Sequence, residues 1–511
     1  MIPPRPSTVT PVSIRALAEA LGAYVSPLGA PIPDDAAPAG SETLLGAVTG
    51  CVADNRLVRA GDLFVAVAGV HVHAARFAPA AIAAGAAAVL TDATGAETIG
   101  AADVPVLVVE NPASILGEAA ALVYGHPADS LTSFGVTGTN GKTTTAFMID
   151  SILARLGRST GLIGTVALRL AGNEIPAVLT TPQPADLQGM LAYLVEQGGT
   201  DLVMEASSHA LAQGRTRPIR YSVAGFTNLT QDHLDFHNTL EEYFEAKKVL
   251  FAPENSASCV VLLDDEFGRA LYDELAASRP GEVTGLAVYS ELDGRAGWQY
   301  AEGTLTHSDG RQLPLTTDLP GDFNVANAAL AAAMVAEVYP LADVAEAIAG
   351  GVTPVVPGRM EVMAKEPRVI VDFAHNEDAL VKAMTSLRPS TEGRLVVLTG
   401  SAGDRDKLKR PLMAAAVAKY ADHVIITDDD PHSEDPAQIR AELIAGLPEG
   451  CDFVEIGDRT EAIHAAILGA DPADTILIAG RGHETIQEVA GVEIELDDRV
   501  VAREALKVRA K

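Results

Sequence analysis

Thr137-Gly138-Thr139-Asn140-Gly141-Lys142-Thr143-Thr144-Thr145 decides the reading of this chain, because apolar residues lead into it and a helical pattern leads out. Glycines at 138 and 141 let backbone N–H groups turn inward onto phosphate oxygens. Lys142 adds a point charge, and the Thr143 hydroxyl can reach a phosphate-bound Mg²⁺. Phe147, Ile149, Ile152, Leu153 and Leu156 then recur at helical spacing, with Gly157 where a C-terminal cap belongs. The N-terminus of that helix would point at the phosphates. The general P-loop spacing asks for Gly at 136, which is Val here, the neighbouring glycine being Gly135. The plainer alternative is a turn whose Lys and Thr only cap a helix, but strand, glycine turn, Lys-Thr and helix in that order exceed what composition supplies.

Composition bounds what surrounds the loop. A chain of 511 residues has room for about three domains of ~150 residues. With 48% hydrophobic and 21% charged residues it is globular rather than disordered. A formal charge of −31 argues against nucleic-acid or anionic-membrane binding, so phosphate ligands must be attracted by local groups such as Lys142 and a metal. Cys51, Cys259 and Cys451 are scattered and odd in number, which gives neither a disulfide framework nor zinc spacing. No signal-peptide pattern is evident and no apolar run reaches the ~18 residues of a membrane span, so a cytoplasmic protein is expected. A monomer is the default expectation, which no sequence feature decides.

Along the chain, a Pro-rich start, a helix at Ile14 to Leu21 and a loop rich in Pro and Ala precede a small α/β region. Its strands are expected at Leu63 to Val67, Ala87 to Leu90 and Val106 to Val109, with helices at Ala78 to Ala84 and Ser114 to Tyr124. The loop Asp54-Asn55-Arg56 reads on its own as a surface ion pair. After the phosphate loop come a strand at Gly161 to Val166, the loop Thr180-Thr181-Pro182, and a strand at Leu202 to Met204 running into Glu205-Ala206-Ser207-Ser208-His209. A strand at Val223 to Phe226 runs into a polar segment containing Asp232 and His233. Ligands of open α/β sheets gather at the carboxyl ends of strands, which makes Glu205 and His233, with Thr143, candidate ligands for a divalent metal on nucleotide phosphates. Lys247 and Lys248 read as a solvated helical pair served by Glu242 and Glu245.

A last region, from about Gly358, alternates strands and helices as a doubly wound sheet. No G-x-G-x-x-G opens a helix there, so a dinucleotide cofactor is not expected. Polar groups fall just past its strands: Asp372 and His375, Gly403-Asp404-Arg405-Asp406, Asp428-Asp429-Asp430-Pro431-His432, and Gly480-Arg481-Gly482-His483-Glu484. Several acids and an arginine would suit an amino acid ligand.

Together the phosphate loop, Thr180-Thr181-Pro182, Glu205 to Ser208, the His233 segment, Asn324, Gly358-Arg359, Asp372 to His375 and Gly482-His483-Glu484 resemble the Mur ligase family over nearly the whole chain. The resemblance implies an α/β protein of three domains: a small N-terminal UDP-binding domain (1–130), a central P-loop ATPase (131–356) and a C-terminal Rossmann-like domain (357–511). It implies that Gly138, Thr139, Asn140, Gly141, Lys142, Thr143, Thr144, Asn324, Arg359, Asp372 and His375 serve ATP, with Mg²⁺ at Thr143, Glu205, His233 and Lys247. Lys247 falls where the family carries a carbamylated lysine, so it joins Lys142 and His233 as a candidate catalytic group. Asn55, Thr180, Thr181, Ser207 and Arg215 match positions that hold the UDP-muramoyl-dipeptide, although the family usually has Ser at the position of Asn55.

The implied reaction passes the γ-phosphate of ATP to the terminal carboxylate of UDP-N-acetylmuramoyl-L-alanyl-D-glutamate, and an amine attacks the acyl phosphate. Arg405, Asp429, Asp430, His432, Gly480 and Glu484 match the pocket for the incoming amino acid. Family members using meso-diaminopimelate usually read Asp-Asn-Pro-Arg where this chain has Asp429-Asp430-Pro431-His432. Imidazole cannot replace a bidentate guanidinium, so L-lysine or a similar diamine is expected before diaminopimelate. Rival readings are a folylpolyglutamate synthetase-like ligase, a P-loop kinase or GTPase, and an inactive scaffold, the last weakened by the presence of Lys142, Thr143, Glu205 and His233 together.

Overall fold

The computed structural model describes residues 3–26, 46–69, 71–175 and 179–510; the expected Pro- and Ala-rich loop lies largely outside them. Two compact units form. The first runs to Thr137 and takes in Leu153–Gly225 and Ala246–Cys259; the second comprises Gly138–Ile152, Phe226–Glu245 and the chain from Val260 onward.

In the first unit a five-stranded sheet has the order Tyr24–Ser26, Val106–Val108, Ala88–Thr91, Asp62–Val65, Gly50–Val52. The first strand is antiparallel and the rest are parallel. Successive side chains of a strand face opposite ways, so Leu63, Val65, Leu90 and Leu107 pack with Ile14, Leu17, Leu116 and Val123 on one side. Phe64, Val89, Val106 and Val108 pack on the other against Ala75, Ala78 and Ala81. Burial on both faces is why these strands read as continuous apolar runs.

The phosphate-loop strand, Thr132–Thr137, runs parallel to Asp201–Glu205 with Val136 opposite Glu205, and Asp201–Glu205 pairs in turn with Thr160–Ile163. The expected strand to Val166 stops at Ile163 because Thr165 turns its N–H onto the Glu205 carboxylate at 2.9 Å. The phosphate-loop helix spans Lys142–Arg155 and closes as foreseen at Gly157, whose N–H donates to Ala154 O while Arg158 N–H donates to Leu153 O.

In the second unit a six-stranded sheet has the order Glu361–Lys365, Arg368–Asp372, Thr475–Ala479, Leu395–Thr399, His423–Ile426, Phe453–Glu455. All but the first strand run parallel. Leu380, Met384, Met413, Val417 and Leu443 cover one face, where Leu395 and Leu477 point. Ile463, Ile467, Val501 and Ala505 cover the other, where Val396 and Ile476 point. The carboxyl ends of four neighbouring parallel strands therefore open toward the polar runs that follow Asp372, Thr399, Ile426 and Ala479. No helix among the described residues is long and apolar enough to cross a membrane.

Leu477 is fully buried at the centre of this sheet. Leu477→Ala is expected to cost about 2–5 kcal/mol, seen as a lower urea midpoint for the C-terminal transition, whereas Val492→Ala on an exposed hairpin stays within about 0.5 kcal/mol.

Candidate active site

The phosphate loop is held by the segment after the strand Tyr221–Phe226. The Asn228 side chain bonds both backbone groups of Asn140: its Oδ1 accepts from Asn140 N at 3.0 Å and its Nδ2 donates to Asn140 O at 3.1 Å. Thr227 Oγ1 donates to the same carbonyl at 2.7 Å, and Thr139 N–H donates to Asn228 O at 2.9 Å. Gly138 has φ +145°, and a Cβ there would lie 1.8 Å from Thr227 Oγ1, so no other residue fits. Lys142 Nζ donates to the carbonyls of Gly138 and Thr139, each at 2.9 Å. Backbone carbonyls are thus turned to structural use at the start of a helix whose first amides have no intrahelical acceptor.

Asn324 lies beside the loop. Its Oδ1 accepts from Asn327 Nδ2 at 3.0 Å, and Asn327 Oδ1 accepts from Thr145 Oγ1 at 3.4 Å. His233 has φ +54° and stands at the N-cap position of the short helix Leu234–His237, with its side chain 44% exposed. Asp232 before it stands 3.7 Å from His375 Nε2. Burial raises the Asp232 pKa, but hydrogen bonding and charge from His375, with charge from His233 and Lys409, hold it well below the usual carboxylate range. Arg359 stacks 4.1 Å from the centroid of Phe373 and lies 3.3 Å from His483 Nδ1. Asp372 accepts from the N–H groups of Met360 and Ala374, and burial raises its pKa against the opposing charge of Arg359.

In the first unit Glu205 is 1% exposed, and Thr165 Oγ1 donates to its Oε2 at 3.1 Å. Thr165 and Thr180 hydroxyls stand 3.0 Å apart, Thr181 Oγ1 donates to Glu205 O at 2.9 Å, and Arg215 Nη1 donates to Thr181 O at 3.4 Å. Ser207 lies 3.5 Å from Thr181 Oγ1 and caps the helix Ser208–Ala212. Thr180, Thr181, Ser207 and Arg215 are therefore brought together. Among the described residues Asn55 makes no hydrogen bond to that group; it sits between Asp54 and Arg56, which pair at 2.6 Å with Arg56 82% exposed. The solvated-lysine reading of 247 is corrected: Lys247 is 1% exposed, because its face of the helix Leu240–Lys248 turns into the core.

At the C-terminal sheet Asp429, Asp430 and Glu484 place carboxylate oxygens within 4.8 Å of one another. Burial, then the charges of Asp429 and Asp430, push Glu484 up to about 8, against Arg481 and Arg359. Asp429 is likewise raised by burial, offset by Arg459 and Arg481. Arg481 Nη1 donates to Asp430 Oδ1 at 2.6 Å, while Arg459 is committed to Asp498 at 2.8 Å. Gly480 has φ +114°, and a Cβ there would fall 2.5 Å from Asp429 Oδ2. His432 Nδ1 lies 3.0 Å from Glu488 Oε2. The Arg405 loop is tied to this cluster by Gly403 N–H donating to Asp430 O at 2.8 Å and by Ser433 Oγ donating to Asp404 Oδ1 at 2.8 Å.

Sequence reasoning passed over Asn228, Thr165, Arg459 and Gln213, whose Oε1 accepts from Arg215 Nε at 2.8 Å. Gln213 stands two residues from Arg215, a local signal; the others act through contacts distant in sequence.

Family models match the chain three times: "Mur ligase family, catalytic domain" over 47–124, "Mur ligase middle domain" over 136–335, and "Mur ligase, glutamate ligase domain" over 358–482. A UDP-N-acetylmuramoyl-L-alanyl-D-glutamate--2,6-diaminopimelate ligase of Streptomyces coelicolor is 42% identical over 521 residues, covering 99% of this chain and 98% of that one. One of the same name from Corynebacterium efficiens is 43% identical over 474 residues, covering 88% of each. A solved structure of that name superposes with a TM-score of 0.63 at 30% identity, covering 98% of this chain and 100% of the other. MurF ligase from Thermotoga maritima in complex with ADP shares the fold, with a TM-score of 0.56 at 20% identity and coverage of 90% and 97%. The three-domain α/β chain therefore belongs to the Mur ligase family and is an ATP-dependent amide ligase of peptidoglycan synthesis.

Proposed function

We propose that this ligase joins L-lysine or a similar diamine to UDP-N-acetylmuramoyl-L-alanyl-D-glutamate in the cytoplasm, acting as a monomer with domains bounded near 130 and 357. The γ-phosphoryl group of ATP moves to the terminal carboxylate and ADP leaves. The amine then attacks the carbonyl carbon, phosphate departs, and the amide nitrogen loses its proton. Loop residues 138–144 hold the phosphates, Lys142 offsets charge on the transferring group, and the nucleotide is served by Asn324 from the central domain and by Arg359, Asp372 and His375 from the C-terminal one. Thr180, Thr181, Ser207 and Arg215 grip the muramoyl dipeptide, with Asn55 toward the uridine.

Mg²⁺ suits the donors Thr143, Glu205 and His233, a hydroxyl, a carboxylate and an imidazole, and when bound it neutralises phosphate charge. Lys247, buried at 1% exposure, would join that set as a carbamate, the form in which a lysine offers oxygen ligands to a cation.

The observation that carries the amino-acid reading is the acid cluster. Burial and neighbouring carboxylates push Asp429 and Glu484 toward their neutral forms, and the ammonium of a diamine supplies a counter-charge to them. A distal carboxylate, which diaminopimelate adds, would need a cationic partner of its own; Arg481 is committed to Asp430, His432 leans on Glu488, and Arg405 serves the α-carboxylate that every amino acid carries. The names of the relatives favour meso-diaminopimelate as the second reading. Nothing about the clusters favours folate or a free-standing kinase or GTPase activity.

Turnover should favour L-lysine or L-ornithine over meso-diaminopimelate by at least about tenfold in kcat/KM, a little over 1.4 kcal/mol. Preference for diaminopimelate overturns the reading. Asp430→Asn with His432→Arg should raise diaminopimelate use by a similar factor. Lys142→Ala should lower kcat about 10²–10³-fold in phosphate release. Because Glu484 is raised to about 8, ammonium binding at neutral pH releases its proton. Diamine affinity should then rise with pH by at most about tenfold per unit and level off above 8, with buffer-dependent calorimetric heat at pH 7 that Glu484→Gln abolishes.

A further inference from the structure

We infer that Asp378 is a positioning residue for the ATP site, whose carboxylate holds the Asn140 side chain and so ties the C-terminal sheet to the phosphate loop. Asn140 Nδ2 donates to Asp378 Oδ2 at 3.0 Å across 238 residues of sequence. The backbone groups of Asn140 are both taken by Thr227 and Asn228, so its side chain is what reaches outward from the loop. Asp378 stands in the first turn of the helix Glu377–Leu387, next to the segment that carries Asp372 and His375.

A bare carboxylate beside a loop that binds phosphates would repel its ligand. Here the same Oδ2 also accepts from Lys382 Nζ at 2.8 Å, one helical turn on, which offsets the charge while leaving the acceptor in place. A second tie lies close by. Asn376 caps the same helix, accepting from Ala379 N at 2.9 Å, and its Nδ2 donates to Asp232 at 3.4 Å. The segment bearing His375 is therefore pinned on both sides, by Asp232 and by Asn140. Releasing Asp378 frees the loop side of that clamp, and nucleotide groups contributed from two parts of the chain no longer meet the ligand together.

The inference rests on residues 138–144 holding ATP, and the experiment separates the two. Kinetics with saturating muramoyl dipeptide and diamine, and ADP binding by calorimetry, are measured for Asp378→Ala, Asp378→Asn, Lys382→Met, Asn140→Ala, Lys142→Ala and the Asn140→Ala/Asp378→Ala double variant. Loss of a charge-assisted hydrogen bond predicts that Asp378→Ala raises the KM for ATP about five- to thirtyfold. The KM for muramoyl dipeptide and the melting temperature should stay unchanged. Asp378→Asn, which keeps an acceptor for Asn140, recovers most of the loss, and Lys382→Met costs less than about threefold. In the Asn140→Ala background Asp378→Ala adds less than about twofold. An unchanged KM for ATP in Asp378→Ala, or equal effects in both backgrounds, overturns the inference. If Lys142→Ala leaves ADP binding intact, the assignment of the loop to ATP falls instead.

Discussion

A loop that binds phosphate through backbone amides has to be rigid without bonding those amides to itself. The chain meets this constraint by tying the loop to a neighbouring segment, through its carbonyls, its side chains and the amides of Thr139 and Asn140, both of which donate to Asn228. Asn140 O takes donors from Thr227 and Asn228, Gly138 O and Thr139 O take the Lys142 ammonium, and Thr139 Oγ1 accepts from Thr230 N at 3.0 Å. The close approach of Thr227 to Gly138 is a consequence of the same arrangement, and it forbids a side chain at 138. A helix beginning at Lys142 then has its dipole and its first-turn amides aimed where charge must be held.

In the proposed function that local device is what lets a chain of formal charge −31 handle polyphosphates. Coulomb interaction with distant surface carboxylates is screened within about 8–10 Å in physiological salt, whereas the loop acts at contact. The opposite problem arises past the strand ends of the C-terminal sheet. There buried Arg459 and Arg481 divide between Asp498 and Asp430, and Asp429 and Glu484 remain with burial against their ionised forms. One strand-end architecture thus presents a site suited to anions and a site suited to a cation, chosen by which groups are supplied with partners.

Much of the architecture was legible because strands buried on both faces leave apolar runs, such as Leu63 to Val65 and Ile476 to Ile478, that no loop would carry. The loop motif was legible because its glycines and Lys142-Thr143 have a chemical reason for their order. Lys247 was misread from its neighbours: two lysines beside glutamates look solvated, and only the packing of that helix shows one of them fully buried. Asn228, Thr165 and Asp378 were illegible because each acts across dozens to hundreds of residues on a partner with no local pattern. Strand ends betray themselves by position, whereas the groups that steady them do not.

On the proposed diamine reading, His432 redirects the pocket without rebuilding it. Its backbone is fixed by N–H donation to Glu488 O at 3.0 Å and by Ala490 N–H donating to its carbonyl at 2.7 Å, so the site at 432 is held whatever side chain it bears. An arginine there would extend a permanent charge with five donors, whereas the imidazole is short and already leans on Glu488 at 3.0 Å. Asp430 adds a carboxylate where an amide would be neutral, and Arg481 answers that carboxylate. On that reading the two residues act in the same direction: each makes the pocket less hospitable to a second carboxylate on the ligand and no less hospitable to an ammonium. Discrimination of this kind comes from the anionic group left without a partner rather than from any gain in attraction for the diamine.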